Sequence, residues 1–359
     1  MGLTKLGNKD IIKKMFGNKE ILKEVCNGIT VYEKETKEYF ITFYSANRFS
    51  INIGDLPSTP YWDGTIEYST DKVNWTTWSN TRSSVNAASD GVNYNLYLRG
   101  NNNTIITGSN ANYSQAKAVW YISVSGSGRV NAYGDMTCLL DWQKVKNGET
   151  VTPGTSAFRY MFYGDTKLRD VSNLIMPTTL SNRCCYGMFW SSKIINTPKL
   201  PALTVPLYAY AVMFASCANL YTFQGIDATT VADHGCYQMF SNCSTLTVIE
   251  KGLLITSFTG EYALSYMFIN CTSIATLFKL NCLTLTNWSY ENMYRGCSLI
   301  KLSSTQTGEY QTAYRVPTSG TPTTGDSPTT ICSNMFTGTG GTLTAISINI
   351  TYYTSNTVI

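Results

Sequence analysis

The sequence predicts a mainly β protein, built from a short N-terminal segment, a β-sandwich domain and a repeat solenoid with short helical turns. Only 14% of the 359 residues are charged, whereas 43% are hydrophobic and 13% are aromatic. Ser, Thr, Asn and Gly replace the missing charge, as is usual in β-rich chains whose turns need hydroxyl, amide and glycine chemistry. Alternating runs in the first half and a repeat in the second half are the other two observations. The length suits several units or a solenoid better than one ordinary core.

Residues 1–35 form the first predicted element, a lysine-rich segment with a ten-residue period in LGNKDIIKKM, FGNKEILKEV and CNGITVYEKE. So short a segment cannot bury its many apolar residues, so we expect them to pack on the next domain or on a partner. Two interpretations stay open, a helical or strand-like cap on the next domain and an anchor that attaches the chain to a larger assembly. The anchor interpretation assigns the contact to Ile11, Ile12, Met15, Phe16, Ile21, Leu22 and Val25.

Residues 36–145 are predicted to form the β-sandwich domain, because short alternating runs there are separated by turn signals. At least five runs indicate strands, and two packed sheets are the simplest way to bury one face of each strand. The runs are KEYFITFYS from Lys37, GTIEYSTDKVNWTTW from Gly64, YNLYLRGNNN from Tyr94, AVWYISVSG from Ala118 and GRVNAYGDMTCLL from Gly128.

Residues 146–359 contain a Met-aromatic pair seven times, and six of the copies recur with a period near 26 residues. An aliphatic residue follows seven positions after most of these methionines, which predicts a short helical turn running into an extended segment. Each unit is too small to bury its own apolar face, so the units must stack. The predicted repeat core is Met161, Phe162, Met188, Phe189, Met213, Phe214, Cys217, Met239, Phe240, Cys243, Met267, Phe268, Cys271, Met293, Tyr294 and Cys297.

Cysteine follows four residues after the Met in the four central copies, at Cys217, Cys243, Cys271 and Cys297. This register allows a ladder of thiols inside the solenoid or an array of metal ligands or disulfides. The ladder is favoured because cysteine packs as a small hydrophobe among the most buried residue types. The chain also has no CxxC pair of the kind that zinc sites use. We therefore expect neither a metal nor a cofactor.

Two segments depart from the regular period. A Thr-, Gly- and Pro-rich stretch from Ser304 separates the sixth and seventh copies and predicts a loop insertion. Such a loop either contacts a ligand or is an exposed linker, and the sequence leaves both open. The final run from Leu343 alternates apolar and polar residues, so we expect a capping strand that covers the last coil.

The repeat resembles the BspA-like leucine-rich repeats of surface proteins from Bacteroides-type bacteria and of structural proteins from their phages. That family repeats an MFxGCxxL turn followed by an extended stretch that often contains LPA, present here from Leu200, with MPTTL from Met176 after the first copy. The resemblance implies a right-handed leucine-rich solenoid over about residues 155–350. The tandem GNKxI units resemble N-terminal segments of phage virion proteins, which implies attachment to a particle.

Charge and residue usage narrow the function classes. The net charge of +4 is spread along the chain, so no nucleic acid or anionic membrane partner is expected. The sequence contains no stretch of about 18 apolar residues, so no membrane span is predicted. His234 is the only histidine and is expected on a solvent-facing turn. The carboxylates of the repeats share no register, so no hydrolase pair is predicted and we expect no enzymatic activity.

These observations favour a structural virion protein over a bacterial adhesin, because the N-terminus carries no recognisable export signal. The resemblance implies a head fibre of a crass-like phage of Bacteroides, assembled in the host cytoplasm, with a tail fibre or a cell-surface adhesin as alternatives. The expected partners are capsid or tail proteins through residues 1–35, further copies of the chain, as a trimer, and a host-surface glycan or protein. Aromatic faces offer large contact area to sugars. The candidate ligand surface is Trp190, Tyr208, Tyr210 and Trp288.

Overall fold

The computed structural model describes residues 37–53, 62–78, 84–107, 122–324 and 328–359, together with the backbone of four short strands nearer the N-terminus. The chain divides into two compact units, Met1–Glu38 and Tyr39–Ile359. The described residues are mainly β, which confirms the fold class at that level.

The first unit contains two antiparallel strand pairs. Strand β1 (Met15–Phe16) pairs with β2 (Lys19–Glu20), and β3 (Lys23–Cys26) pairs with β4 (Ile29–Glu33). The sequence left open whether this segment is helical or strand-like. The described backbone here is extended. The side chains of all seven predicted anchor residues lie outside the described part of the chain.

The N-terminal part of the second unit forms two β-sheets. The larger has seven strands in the order β14-β13-β5-β11-β7-β8, with β10 also paired to β11, and the smaller has the order β12-β6-β9. In chain order the elements are β5 (Ile41–Ser45), β6 (Phe49–Ile53), β7 (Thr65–Ser69), β8 (Thr76–Thr77), β9 (Val85–Asn86), β10 (Ala88–Ser89), β11 (Tyr94–Asn101), β12 (Ile122–Gly126), β13 (Asn131–Asp135), α1 (Cys138–Lys146) and β14 (Asn173–Ile175).

The central strands β5 and β11 supply the middle of this core. Leu96 lies opposite Phe43, and Leu98 lies opposite Ile41, in the antiparallel register. All four side chains are at most 1% exposed. Because side chains alternate between the two faces of a strand, the apolar residues two apart in each run meet on one face of the sheet.

Helix α1 lies against β11 through a close approach of the two backbones. A Cβ atom on Gly100 would stand 1.7 Å from the carbonyl oxygen of Leu139, so only glycine fits there. Beside this contact the Arg99 guanidinium carbon lies 3.9 Å from the ring centroid of Trp75 and 4.1 Å from that of Trp142 in α1. The cation–π contact with Trp142 therefore joins the helix to the sheet.

The larger sheet continues into the repeats. Strand β13 pairs in parallel with β14, which belongs to the first repeat. The ring centroids of Phe43 and Phe162 lie 6.2 Å apart. The predicted domains 36–145 and 146–359 thus share one buried core and one compact unit.

The repeats stack so that strands of successive copies pair in parallel, in the ladders β15-β17-β19-β21 and β16-β18. Strand β24 pairs in parallel with β21, and β26 pairs in parallel with β20. We call residues 146–359 the repeat stack. A residue type that recurs in the sequence therefore becomes a column in the structure. The elements are β15 (Thr204–Val205), β16 (Thr222–Phe223), β17 (Thr230–Val231), β18 (Val248–Ile249), β19 (Ser257–Phe258), β20 (Thr276–Leu277), β21 (Thr284–Leu285), β22 (Leu302–Ser303), β23 (Thr312–Arg315), β24 (Thr323–Thr324), α2 (Pro328–Ile331), β25 (Thr351–Thr354) and β26 (Thr357–Val358).

The Met-aromatic segments were expected to be short helical turns, and this prediction is wrong. Neither helix in the described part of the chain covers any of the seven methionines, and each segment is a run of hydrogen-bonded turns. Successive amides alternate between two acceptors. The amide of Phe162 donates to the carbonyl of Met188 in the next copy at 2.8 Å, whereas that of Tyr163 donates to Tyr160 in its own turn at 3.0 Å. An α-helix spends every amide on its own carbonyls and leaves none for a neighbour.

The buried columns include a continuous stack of aromatic rings. Neighbouring ring centroids lie 5.3 to 5.8 Å apart, with interplanar angles between 2° and 16°. Every residue of the predicted repeat core is 0% exposed. The stacked rings are Phe162, Phe189, Phe214, Phe240, Phe268, Tyr294 and Phe336.

The far end of the stack carries strands where the sequence predicted a loop. Strand β24 of the insertion extends the parallel ladder beside β21, and β23 pairs with β25 of the C-terminal run. The last strand, β26, pairs with β20, so the chain end returns to the fifth copy. Asn356 fixes this return, because its Nδ2 donates to the carbonyl of Leu299 at 2.8 Å while its Oδ1 accepts from the amide of Lys301 at 2.7 Å.

Truncating one ring of the buried stack tests this packing. Phe214→Ala removes a fully buried ring that contacts rings on both sides, so we expect a loss of about 3–5 kcal/mol in the free energy of unfolding, measured by urea denaturation. The control Tyr221→Ala removes an aromatic side chain that is 51% exposed, and its effect should stay within about 0.5 kcal/mol. Equal losses in the two variants would contradict the packing described.

Candidate binding surface

Left-handed backbone conformations recur every fourth residue in the turn segments. With the Met of each copy as position 0, positive φ angles fall at positions −1 and +3 in all seven copies and at position −5 in the first six. At +3 the residues are of the small or amide types that tolerate this region. They are Gly164, Ser191, Ser216, Asn242, Asn270, Gly296 and Gly338, with φ between 58° and 75°.

Position −5 forms a half-buried column of four stacked rings. The centroids of Tyr208 and His234 lie 4.5 Å apart, those of His234 and Tyr262 lie 4.7 Å apart, and those of Tyr262 and Trp288 lie 4.8 Å apart. The interplanar angles are 26°, 30° and 12°. All four residues have positive φ, so the same backbone twist presents each of them to one face of the stack. We call these four residues the aromatic column.

Stacking within the aromatic column decides what it offers to a ligand. The ring faces of Tyr208, His234 and Tyr262 are turned toward one another, and the Arg183 guanidinium carbon lies 5.4 Å from the Tyr208 centroid. A ligand therefore meets ring edges and polar ring atoms along most of the column. This differs from the expectation that the faces of these rings stack on sugars. Trp288 is the end of the column, since the next copy carries Thr330 at position −5.

Trp190 belongs to a second aromatic cluster, around the first two copies. Its ring centroid lies 5.6 Å from that of Tyr163 at an interplanar angle of 81°, and 6.0 Å from that of Tyr160. Tyr186 meets Tyr160 edge to face at 5.5 Å. Tyr163 is 37% exposed, so this cluster also reaches the surface. Tyr186 lies 6.3 Å from Tyr208 and connects the cluster to the aromatic column.

The assignment of Tyr210 to the ligand surface is wrong, because its side chain is 0% exposed. Burial raises its pKa well above the ordinary tyrosine value, and its hydroxyl has no hydrogen-bond partner. Position −3 is a buried column in every copy, occupied by cysteine in three of them. The repeat spacing predicts this burial. Tyr210 lies three residues before Met213, at the same position as Cys185 and Cys236 relative to their own methionines.

Sequence reasoning also missed two members of the aromatic column. His234 is on a turn, as expected, but its side chain is only 20% exposed and its ring lies between two tyrosines. Its Nδ1 lies 2.8 Å from Oδ1 of Asp233. Tyr262 was not considered at all. The common offset of five residues before the Met would have identified both.

The later copies add acidic side chains beside the aromatic column. Ser265 Oγ donates to Oε2 of Glu291 at 3.4 Å, and partial burial raises the pKa of that carboxyl. Asn287 Nδ2 donates to Oε1 of Glu261 at 3.2 Å. Burial, together with the charges of Glu291 and Glu261, raises the pKa of Tyr262, so its hydroxyl stays protonated and presents a donor at neutral pH.

The cysteine column holds thiols that donate hydrogen bonds between copies. The Sγ atom at position +4 lies 3.0 Å from the carbonyl oxygen of the aromatic residue in the preceding copy, as in Cys217 to Phe189 and Cys271 to Phe240. Burial raises the pKa of Cys217 and of Cys271 to about 12. A protonated thiol is a poor nucleophile and a poor metal ligand. All ten cysteines in the described residues are free and buried.

In the first copy, Asp165 occupies position +4 in place of a cysteine, and this substitution went unnoticed in the sequence. Its Oδ2 accepts a hydrogen bond from the amide of Val124 at 2.7 Å, and its Oδ1 accepts from the amides of Lys167 and Leu168. The neighbour here is strand β12 and not another copy. An acceptor is therefore needed at this position, and burial raises the pKa of the carboxyl.

Within the described ranges, no group of three or more His, Cys, Asp or Glu side chains is arranged to hold a metal ion. In the same ranges, neither helix has the length and the apolar character needed to cross a membrane.

The buried thiols predict a pH dependence of stability. A thiol with an ordinary pKa of 9.0 when unfolded and about 12 when folded favours the native state below pH 9, and this contribution is lost as the pH rises toward 12. Between pH 8 and pH 10, each such thiol should lower the free energy of unfolding by about 1.4 kcal/mol. Serine does not titrate in this range. Between pH 8 and pH 10, the free energy of unfolding of Cys217→Ser, measured by urea denaturation, should therefore fall by about 1.4 kcal/mol less than that of the wild-type chain. The exposed control Ser298→Ala should follow the wild type, and identical pH slopes for all three would refute the thiol assignment.

Comparison with known proteins adds no relative. No protein-family model, no curated protein and no solved structure matches this chain.

Proposed function

We propose that this chain is a non-enzymatic structural and binding protein of a bacteriophage virion, a head fibre that attaches through residues 1–35 and displays the repeat stack. In this proposal the two sheets form a sandwich that acts as a spacer, and the stack is a solenoid of the BspA-like leucine-rich-repeat type. The phage assignment rests on the resemblance of the Met-aromatic repeat and of the GNKxI units. Residues Met1–Glu38 form a compact unit of their own, which supports a separate attachment role.

The observation that carries the binding role is the aromatic column. Large aromatic side chains that stay partly exposed in a fixed arrangement are typical of recognition surfaces, because they bind with little loss of conformational entropy. Three ring-to-ring contacts at 4.5 to 4.8 Å fix the arrangement here. Ring edges with hydroxyl and imidazole groups suit a polar host-surface partner, a glycan or a protein. Many copies on one particle, trimers in this proposal, would strengthen weak contacts through avidity.

Electron microscopy of purified phage particles tests the location. Gold-labelled antibody against the repeat stack should decorate the capsid, and particles made with a chain that lacks residues 1–35 should lose the label. Label at the tail would assign the chain to a tail fibre. Label on uninfected host cells alone would contradict the virion proposal and favour a surface adhesin.

Trp288→Ala tests the binding role of the aromatic column. Removing this ring should weaken adhesion of the labelled full-length chain to Bacteroides cells by about tenfold or more, since an aromatic anchor of a binding surface contributes about 2 kcal/mol. Tyr221→Ala, an exposed aromatic outside the column, should bind as the wild type does. If both variants adhere equally well, the aromatic column is not the binding surface.

A further inference from the structure

A cleft in the β region, remote in sequence from the repeats, carries a second set of ligand-binding features. Its volume is about 640 Å³, within the range of small-molecule sites. It lies where the three-stranded sheet meets β10 and β11. Its polar lining includes Arg48, Ser50, Asn86, Tyr94 and Ser125.

Arg48 brings a positive charge to this cleft on an exposed side chain. Its Nε donates to the hydroxyl oxygen of Tyr94 at 3.1 Å, and its guanidinium carbon lies 5.9 Å from the centroid of the same ring. Among the described residues no carboxylate pairs with Arg48, and none of the described residues that line the cleft is acidic. Its charge is therefore open to an anionic ligand, and a guanidinium matches the two oxygens of a carboxylate better than a single neutral acceptor.

A pair of serine hydroxyls adds one more donor. Ser50 Oγ and Ser125 Oγ lie 2.8 Å apart, and one of the two protons makes the bond between them. Asn52 Nδ2 donates to Ser125 Oγ at 3.0 Å and fills an acceptor position of the pair. Whichever serine donates to the other, one hydroxyl proton remains for the cleft. The polar groups therefore present donors beside a single positive charge.

The backbone that shapes the cleft is tightly constrained. Gly126 has a φ of 142°, and a Cβ atom there would stand 2.5 Å from the carbonyl oxygen of Arg48. Only glycine lets the end of β12 approach the start of β6 so closely. Phe49, 5% exposed, closes the inner side. The serine pair is thus held on the paired strands β6 and β12, and Arg48 directly precedes β6.

We propose that this cleft binds a carboxylate-bearing sugar. Arg48 pairs with the carboxylate, the Ser50 and Ser125 pair donates to a ring or hydroxyl oxygen, and the half-exposed ring of Tyr94 and the amide of Asn86 contact the rest of the sugar. One arginine matches one negative charge, and the hydroxyl and amide groups around it suit the hydroxyls of a saccharide. This site is independent of the aromatic column and gives the β region a role of its own.

Binding of digalacturonate to the full-length chain tests the proposal, with its dimethyl ester, sodium acetate and inorganic phosphate as comparison ligands. By isothermal titration calorimetry and saturation-transfer NMR, the acid should bind, and the ester, in which neutral methyl esters replace the charged carboxylates, should bind at least about tenfold more weakly. Arg48→Gln should lose at least about tenfold in affinity for the acid. Arg48→Lys keeps the charge without the planar guanidinium, so its affinity should lie between those of the wild type and Arg48→Gln.

Arg169→Gln is the matched control, because it removes the charge of an exposed arginine outside the cleft and should bind as the wild type does. Circular dichroism shows whether each variant is folded, and Tyr94→Phe supplies a milder change at the same site. Equal binding of acid and ester, wild-type affinity in Arg48→Gln, or no binding of the acid at tens of millimolar would overturn the proposal. Acetate or phosphate binding as tightly as the acid would overturn the assignment to a sugar. None of these outcomes bears on particle attachment or on Trp288.

Discussion

The repeat stack depends on how each copy divides its backbone hydrogen bonds. Along the Met-aromatic segments, alternate amides close turns within the copy while the others reach carbonyls of the next copy. A buried backbone must satisfy all of these groups, and neither a helix nor a long strand satisfies both sets at once. The compromise twists the chain into the left-handed region at every fourth residue. Such angles are costly for residues with a β-carbon, so the contacts between copies must offset that cost.

This backbone pattern converts a sequence period into surface and core columns. Position −5 faces outward and carries the aromatic column, whereas positions −3, 0 and +1 face inward and carry thiols, methionines and stacked rings. Position +4 joins copies through a thiol, and it changes to the carboxylate of Asp165 where the neighbour is strand β12. Toward the far end, Asn356 donates to the carbonyls of Ala275 and Leu299, which belong to the fifth and sixth copies. The same geometry thus serves both the interior and its two boundaries.

Periodicity in the sequence was a better predictor of burial than of backbone conformation. The spacing from each Met identified the core because burial follows register alone. It failed for helical turns, since apolar residues at −3, 0, +1 and +4 fit a helix and this turn ladder equally well. Tyr210 was assigned to the surface from its residue type, although its register placed it in the core. The strands of the insertion were missed because Thr-rich segments acquire strand conformation only from the ladder that they join. The cleft at Arg48 is lined by residues that are far apart in the sequence, so no local sequence pattern predicts it.

Substitutions at position +3 test the recurring left-handed backbone most directly. Ser191 has a φ of 59°, whereas Ser244 is a turn residue without a positive φ. The free energy of unfolding, measured by urea denaturation, should be unchanged or higher in Ser191→Gly and lower by about 1–2 kcal/mol in Ser191→Val, because a branched β-carbon is strained there. At Ser244 the order should reverse, with glycine costing about 0.5–1 kcal/mol and valine little. The same order of stabilities at both sites would contradict this account of the repeat stack.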